Sequence, residues 1–262
     1  MNTNAFHRVV CFTRRNIPKQ DPEELLLKIK TAVESPIHVI KEITNPGEIK
    51  RTLKVNIVPW GDLCLHEYRW NLRRIALSPF RLSRGERTWN FYDDIRQSKI
   101  IVPEPIILIE VKKLIFTTKT YVATRWIDRA FKLDQIALRK DIPYSFDLQS
   151  ILYQCVDTIA YLHNAGFIHG DLKWSNFLYI HKRNSNIILT DLDALKKSSS
   201  ASSQSKDFAR FLIAPEKYSF GKETIRLLIE RYLKTRDSSR SSLKKTIQRY
   251  LAKKTILYHD HF

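Results

Sequence analysis

The sequence predicts an α+β chain of two lobes, strand-rich over residues 1–125 and mainly helical over residues 126–262. Three observations carry this. Short runs of β-branched and apolar residues recur between turn formers as far as residue 123. Apolar residues then adopt helical spacing, at Leu148, Ile151, Leu152, Cys155, Ile159 and Leu162. A length of 262 residues suits one large domain or two lobes and is ample for a buried core.

Taken in order, residues 37–40 and 53–58 read as strands, with turns at Asn45-Pro46-Gly47 and Pro59-Trp60-Gly61. The rest of residues 1–60 reads as short mixed segments. Residues 62–68 alternate in polarity after a turn and make another strand. Residues 84–95 read as a helix. Pro103 and Pro105 interrupt the chain before an apolar strand at 106–109, and a further strand covers 116–123. A helix with one apolar face spans residues 145–165, and Gly166 stops it. Phe167 and Ile168 form a short apolar pair. Residues 177–180 and 187–189 read as a hairpin across Asn184-Ser185-Asn186. Six serines in residues 198–205 suggest a flexible, solvated linker. Two helices, around 222–235 and 243–257, finish the chain.

Composition removes several classes. Hydrophobic residues make up 43%, too many for a disordered chain. No apolar run approaches the ~20 residues of a membrane span. Residues 1–15 lack an uninterrupted apolar stretch, so no secretory signal is expected. Cys11, Cys64 and Cys155 are scattered without zinc spacing and read as reduced thiols of a cytoplasmic protein. Lys and Arg number 45 against 27 Asp and Glu, a net charge of +18. That charge favours polyanionic partners. It concentrates in residues 69–87, with six arginines against Glu86, and in residues 222–254. No nucleic-acid-binding motif accompanies it, and a basic stripe is also what a solvated helix face looks like.

The segment Phe167-Ile168-His169-Gly170-Asp171-Leu172-Lys173-Trp174-Ser175-Asn176-Phe177-Leu178 contains H-x-D-L-x-x-x-N. This is the catalytic-loop pattern of the kinase fold, with Gly in the place of Arg. Fifteen residues after Asn176, Asp191 opens Asp191-Leu192-Asp193 where such folds carry D-F-G. The residue types suit phosphoryl transfer, which needs metal to offset phosphate charge and a group to orient the attacking hydroxyl. Asp191 and Asn176 supply the hard oxygen ligands that Mg²⁺ takes. Asp171 is placed to accept the hydroxyl proton. Lys173 can reach the transferred phosphate, and Asp193 can assist with metal or hold the loop. His169 is expected to hydrogen-bond backbone near Asp191. Asp207 is expected to anchor the catalytic loop as a buried carboxylate.

These residues, with Ser83-Arg84-Gly85-Glu86-Arg87-Thr88-Trp89, Val102-Pro103-Glu104-Pro105 and Lys206-Asp207-Phe208-Ala209-Arg210, resemble the bacterial lipopolysaccharide kinase (Kdo/WaaP) family over roughly residues 60–215. The resemblance implies a two-lobed protein-kinase-like fold with ATP between the lobes, near residues 124–126, and Mg²⁺ as cofactor. It implies transfer from ATP to a heptose or Kdo sugar of the lipopolysaccharide core. The partner would be an acidic glycolipid or sugar acceptor, and the protein cytoplasmic or peripheral at the inner membrane of a Gram-negative bacterium.

The first lobe departs from the kinase pattern. Kinases pair a strand Lys with the nucleotide phosphates and hold it with a helix Glu. If residues 62–68 are that strand, His66 stands at the Lys position, and Thr88 stands where the Glu is expected. Lys54, one strand earlier, and Glu86 are the alternatives. The chain has six glycines, and only Gly47 lies in the turn where a Gly-rich loop belongs. These departures support a competing reading, a catalytically weak or dead binding module; a kinase for protein or another small molecule is a third. Trp70, Trp89, Trp126 and Trp174 could stack on sugar but suit packing better, with Trp174 the exception for its place inside the catalytic loop. His259, Asp260 and His261 read as a frayed terminus.

Overall fold

The computed structural model describes residues 7–13, 21–45, 48–139, 145–181, 186–217, 222–236 and 240–259. The predicted turn residues Pro46, Gly47, Asn184 and Ser185, and the terminal Asp260 and His261, lie outside them. Two compact units are formed, one from Met1–Tyr92 with Pro103–Ile127, the other from Asp93–Val102 with Asp128–Phe262.

The first unit is an antiparallel sheet with a helix on each face. In chain order its elements are β1 (His7–Thr13), α1 (Pro22–Glu34), β2 (His38–Asn45), β3 (Glu48–Ile57), β4 (Gly61–Arg69), α2 (Leu72–Leu77), the first part of α3 (Arg84–Gln97) as far as Tyr92, β5 (Pro105–Lys113) and β6 (Phe116–Arg125). The strand order is β1-β5-β6-β4-β3-β2. Strand alternation sorts the side chains. Leu53, Leu65, Ala123 and Ile107 stand opposite one another and pack with Leu25, Leu26, Ile29 and Val33 of α1. The other face carries Tyr68, Leu108 and Val122, with Trp70 and Trp89 against them. Helix α3 comes very close there. A Cβ on Gly85 would meet Val122 Cγ2 at 2.4 Å and Leu108 Cδ1 at 2.8 Å, so a larger residue would have to displace these side chains.

Residues 1–60 hold more structure than their composition suggests. Helix α1 starts at Asp21, whose carboxylate accepts from the Glu23 and Glu24 N–H groups at 3.1 and 3.0 Å, with Pro22 as its first residue. Strand β1 pairs in register with β5.

The second unit contains β7 (Ala130–Lys132), α4 (Leu133–Leu138), α5 (Leu148–Asn164), β8 (Phe167–Ile168), β9 (Phe177–Ile180), β10 (Asn186–Leu189), β11 (Lys196–Lys197), α6 (Ala201–Lys217), α7 (Lys222–Thr235) and α8 (Arg240–His259). Helix α5 buries Ile151, Leu152, Cys155, Val156, Ile159 and Leu162. Strands order as β10-β9-β7, and β8 pairs with β11.

The serine-rich stretch corrects the expectation of a flexible linker. Its second half is the start of α6, and Ser205 is fully buried. The serines cap the helix: Ser200 Oγ accepts from the Ser203 N–H at 3.4 Å. Beyond them Phe208, Phe211 and Leu212 recur on one buried face.

Candidate active site

The catalytic segment begins where α5 stops. Phe167 and Ile168 form β8, which aligns with Lys197 and Lys196. The chain then leaves the ladder, and its N–H groups need other acceptors. Asp207 of α6 provides them. Its carboxylate, only 2% exposed, accepts from the His169 N–H at 2.7 Å and the Gly170 N–H at 2.9 Å. His163 Nε2 lies 3.3 Å from the same carboxylate, and Tyr232 Oη is 2.6 Å from His163 Nδ1. Burial holds the His163 pKa below its ordinary value against the opposing pull of Asp207. A neutral ring donating from Nε2 to Asp207 and accepting at Nδ1 from Tyr232 satisfies all three groups. The expected anchoring role of Asp207 is met by these bonds.

His169 is fully buried, and its Nε2 donates to the Thr190 carbonyl at 2.9 Å. Its Nδ1 receives the Asp171 N–H at 3.3 Å. Gly170 adopts φ +81°, and a Cβ there would stand 2.8 Å from the Ala194 carbonyl oxygen. The Gly that replaces Arg in this motif is therefore required by backbone geometry. Arg210 donates to the Gly170 carbonyl. Its spacing in the sequence does not show that it reaches this loop.

Asp171 and Lys173 form an ion pair at 2.7 Å, both side chains about two-fifths exposed. Burial pushes the Asp171 carboxyl up, but the Lys173 ammonium and the charge of Arg210 outweigh it, so the pKa lies below its ordinary value. Asn176 Nδ2 donates to the Asp171 carbonyl at 2.9 Å, which turns Oδ1 the other way as the atom able to ligate metal. Thr190 closes the gap to Asp191: its N–H and its hydroxyl both donate to the Asn176 carbonyl, at 2.8 and 3.0 Å. Asp191 itself is left-handed, with φ +58° and ψ +54°. A non-glycine residue there costs about 1–2 kcal/mol and marks a constrained position. Asp193 sits in the 3-10 turn Leu192–Ala194 that follows. No cluster of three or more His, Cys, Asp or Glu able to hold a metal exists among the described residues. One carboxylate with one amide oxygen still suits Mg²⁺, which keeps waters and takes phosphate oxygens for its remaining positions.

Trp174 is not a stacking platform. It is 2% exposed, its Nε1 donates to the Phe211 carbonyl at 3.1 Å, and its ring packs on Phe211. Burial of the indole in the α6 contact fixes the loop instead.

In the first unit, Lys54 stands opposite Cys64 and Thr52 opposite His66, so all four share the α3 face of the sheet. Lys54 Nζ pairs with Asp62 at 2.8 Å and lies over the Trp126 ring at 4.8 Å. His66 Nδ1 is 3.2 Å from Thr52 Oγ1, and its ring stacks beside Tyr68. Thr88 donates to the Arg84 carbonyl of its own helix. Burial raises the Glu86 pKa, and Glu110 adds to the rise. Glu86 thus neighbours Glu110. The residue facing Lys54, Asp62, escaped sequence reasoning because only the strand register brings it there.

A sequence profile of the protein kinase domain matches residues 109–222, a span holding the catalytic loop, Asp191 and Asp207. The fold is also similar to that of WaaP, solved in complex with acyl carrier protein. That likeness covers 94% of this chain and 98% of the WaaP chain, with a TM-score of 0.62 at 15% identity. The profile match and the shared fold show a protein-kinase-like fold.

Proposed function

We propose that this kinase transfers the γ-phosphoryl group of ATP to a hydroxyl of a lipopolysaccharide-core sugar, heptose or Kdo. The observation that carries the chemistry is the Asp171–Lys173 pair, coupled through the Asp171 carbonyl to Asn176 and through Thr190 to Asp191. With its pKa depressed, Asp171 is ionised at neutral pH and ready to accept a proton. It takes the acceptor hydroxyl proton as the oxygen bonds to the γ-phosphorus and the bridging oxygen leaves with ADP. Lys173 lies against Asp171 and balances charge at the transferred group. Mg²⁺ held by Asn176 and Asp191 would neutralise charge on the phosphates.

Two further observations favour a sugar over a peptide acceptor. Only residues 192–200 separate Asp191 from α6, which leaves little chain for the activation loop of protein kinases. The fold likeness to WaaP points the same way. The net charge of +18 suits an acidic glycolipid and a cytoplasmic protein held peripherally at an inner membrane. WaaP was solved with acyl carrier protein, and a similar protein contact is the second partner to test. His66 and the Lys54–Asp62 pair favour one rival, a nucleotide-binding module with little turnover.

Thermal unfolding with and without Mg²⁺-ATP tests the nucleotide site that both readings share, and transfer then separates them. At 100 times Kd, ligand adds about 2.7 kcal/mol, a rise on the order of 5–10 °C for a chain this long. Asp191→Asn should lose the Mg²⁺-dependent part. Phosphate transfer to purified lipopolysaccharide core should then fall about 10²–10⁴-fold in Asp171→Ala. Binding without transfer to any core acceptor would establish the rival.

A further inference from the structure

Residues 70–84 form a cationic and apolar surface segment that the catalytic machinery does not use. Asn71 caps α2, its side chain accepting from the Arg74 N–H at 3.0 Å. A 3-10 turn, Ser78–Phe80, follows directly. Three large apolar side chains of this segment face outward. Leu72 is 85% exposed, Phe80 84% and Leu82 51%. Ser78 Oγ receives the Thr117 N–H at 2.8 Å, which ties the turn to the β5–β6 hairpin. The tip of that hairpin, Leu114 and Ile115, is 61% and 65% exposed. Single exposed apolar residues are ordinary, but a cluster of them rimmed by cations marks an interaction surface.

Beside these side chains lies a cavity of about 210 Å³ lined by Trp70, Arg74, Ser78, Arg81, Ser83 and Arg84. Trp70 stacks on Tyr68 at 5.3 Å and is fixed by that contact. The Arg74 and Arg84 guanidinium carbons lie 5.2 and 5.7 Å from its ring centre. The indole thereby holds two planar cations at the cavity wall. Guanidinium groups match phosphate oxygens in pairs. The volume falls below the roughly 300–1,000 Å³ of sites that enclose whole organic ligands and suits a phosphate-bearing headgroup.

We infer that this face docks on an anionic phospholipid surface, the cavity taking a lipid phosphate while Leu72, Phe80, Leu114 and Ile115 enter the interfacial layer. Charge complementarity and the outward apolar side chains select this occupant. Among the described residues no helix is long and apolar enough to cross a membrane, and this contact requires none. It specifies the surface behind the membrane contact proposed above. Docking is read by vesicle binding, without turnover, so it stands or falls apart from the phosphotransfer reaction.

The test is co-sedimentation of the full chain with vesicles of phosphatidylcholine alone or mixed with phosphatidylglycerol. Binding should be at least about tenfold tighter to the mixed vesicles. The double variant Leu72→Ser, Phe80→Ser should lose about tenfold, and Arg81→Ala about fivefold, roughly the contribution of one cation at an anionic surface. All three positions are exposed, and unchanged thermal unfolding verifies the fold of each variant. Unchanged binding of the serine variant would overturn the inference. So would an equal loss from Lys244→Ala, Lys245→Ala in α8, or glycerol phosphate displacing the protein from vesicles at the lipid's own concentration.

Discussion

Asp207 offers the sharpest test of how the catalytic loop is held. Replacing it by alanine removes the acceptor of two buried N–H groups, those of His169 and Gly170, at 2.7 and 2.9 Å. Leaving a buried donor unsatisfied costs about 1–3 kcal/mol each, so the pair costs about 2–6 kcal/mol. His163 loses a partner as well. For a chain of this length each kcal/mol moves Tm by about 2–4 °C, and a fall on the order of 10 °C is expected. Asp207→Asn keeps one acceptor oxygen but turns a donor toward the second N–H, so about half of that fall should remain. Thermal unfolding of the parent and both variants at neutral pH measures this. Phosphotransfer should fall in the same order, because the bonds lost set the path of the backbone into Asp171. A Tm within about 2 °C of the parent for Asp207→Ala would refute the argument that this carboxylate organises the loop.

Two other outcomes follow from the same region. Gly170→Ala places a Cβ 2.8 Å from the Ala194 carbonyl in a left-handed backbone. It should cost about 2–4 kcal/mol in unfolding experiments, from the conformation and the overlap together; a loss below about 1 kcal/mol would show that the 194 segment yields freely. His163 is buried with its pKa lowered, so the unfolded chain binds this proton at a higher pH than the folded one. Its contribution to stability is complete above the unfolded value, about 6.5, and is lost as pH falls through that point toward the lower folded value. The stability gap between parent and His163→Gln, measured by denaturant titration, should therefore narrow as the pH is lowered from neutrality; a gap that widens would reverse the sign.

The catalytic loop was legible because its signals are local. A helical apolar period, a glycine stop and H-x-D-L-x-x-x-N lie within a few turns of chain, and the elements around them follow. Strands β4 to β6 and the second half of β3 are legible for the same reason, as apolar runs between turn residues, while the first half of β3, Glu48–Thr52, lies outside the predicted 53–58. Helix α1 has local signals too, Asp21, Pro22 and the spacing of Leu25, Leu26, Ile29 and Val33, inside a stretch whose composition reads as short mixed segments. Serine composition hid the start of α6, since the same hydroxyl that solvates a linker also caps a helix. The fate of Trp174 depends on Phe211, thirty-seven residues away, and no local pattern reports that. Likewise His66 and Lys54 could be set on one sheet face only once Lys54 was found opposite Cys64. Contacts settled by strand register or by distant helices are the ones sequence leaves open.

The brief stretch between Asp191 and α6 has a consequence for control. A switch needs a segment with two alternative resting places. Here residues 192–200 are pinned at one end by the turn after Asp191, at Lys196 and Lys197 by β11 on β8, and at the other end by the helix that carries Asp207. Ser198 adds a bond from its own N–H to the Gly166 carbonyl. Such a segment has nowhere else to go without unfolding part of the second unit. The loop that carries Asp171 is then set when the chain folds, without a separate segment that has to rearrange.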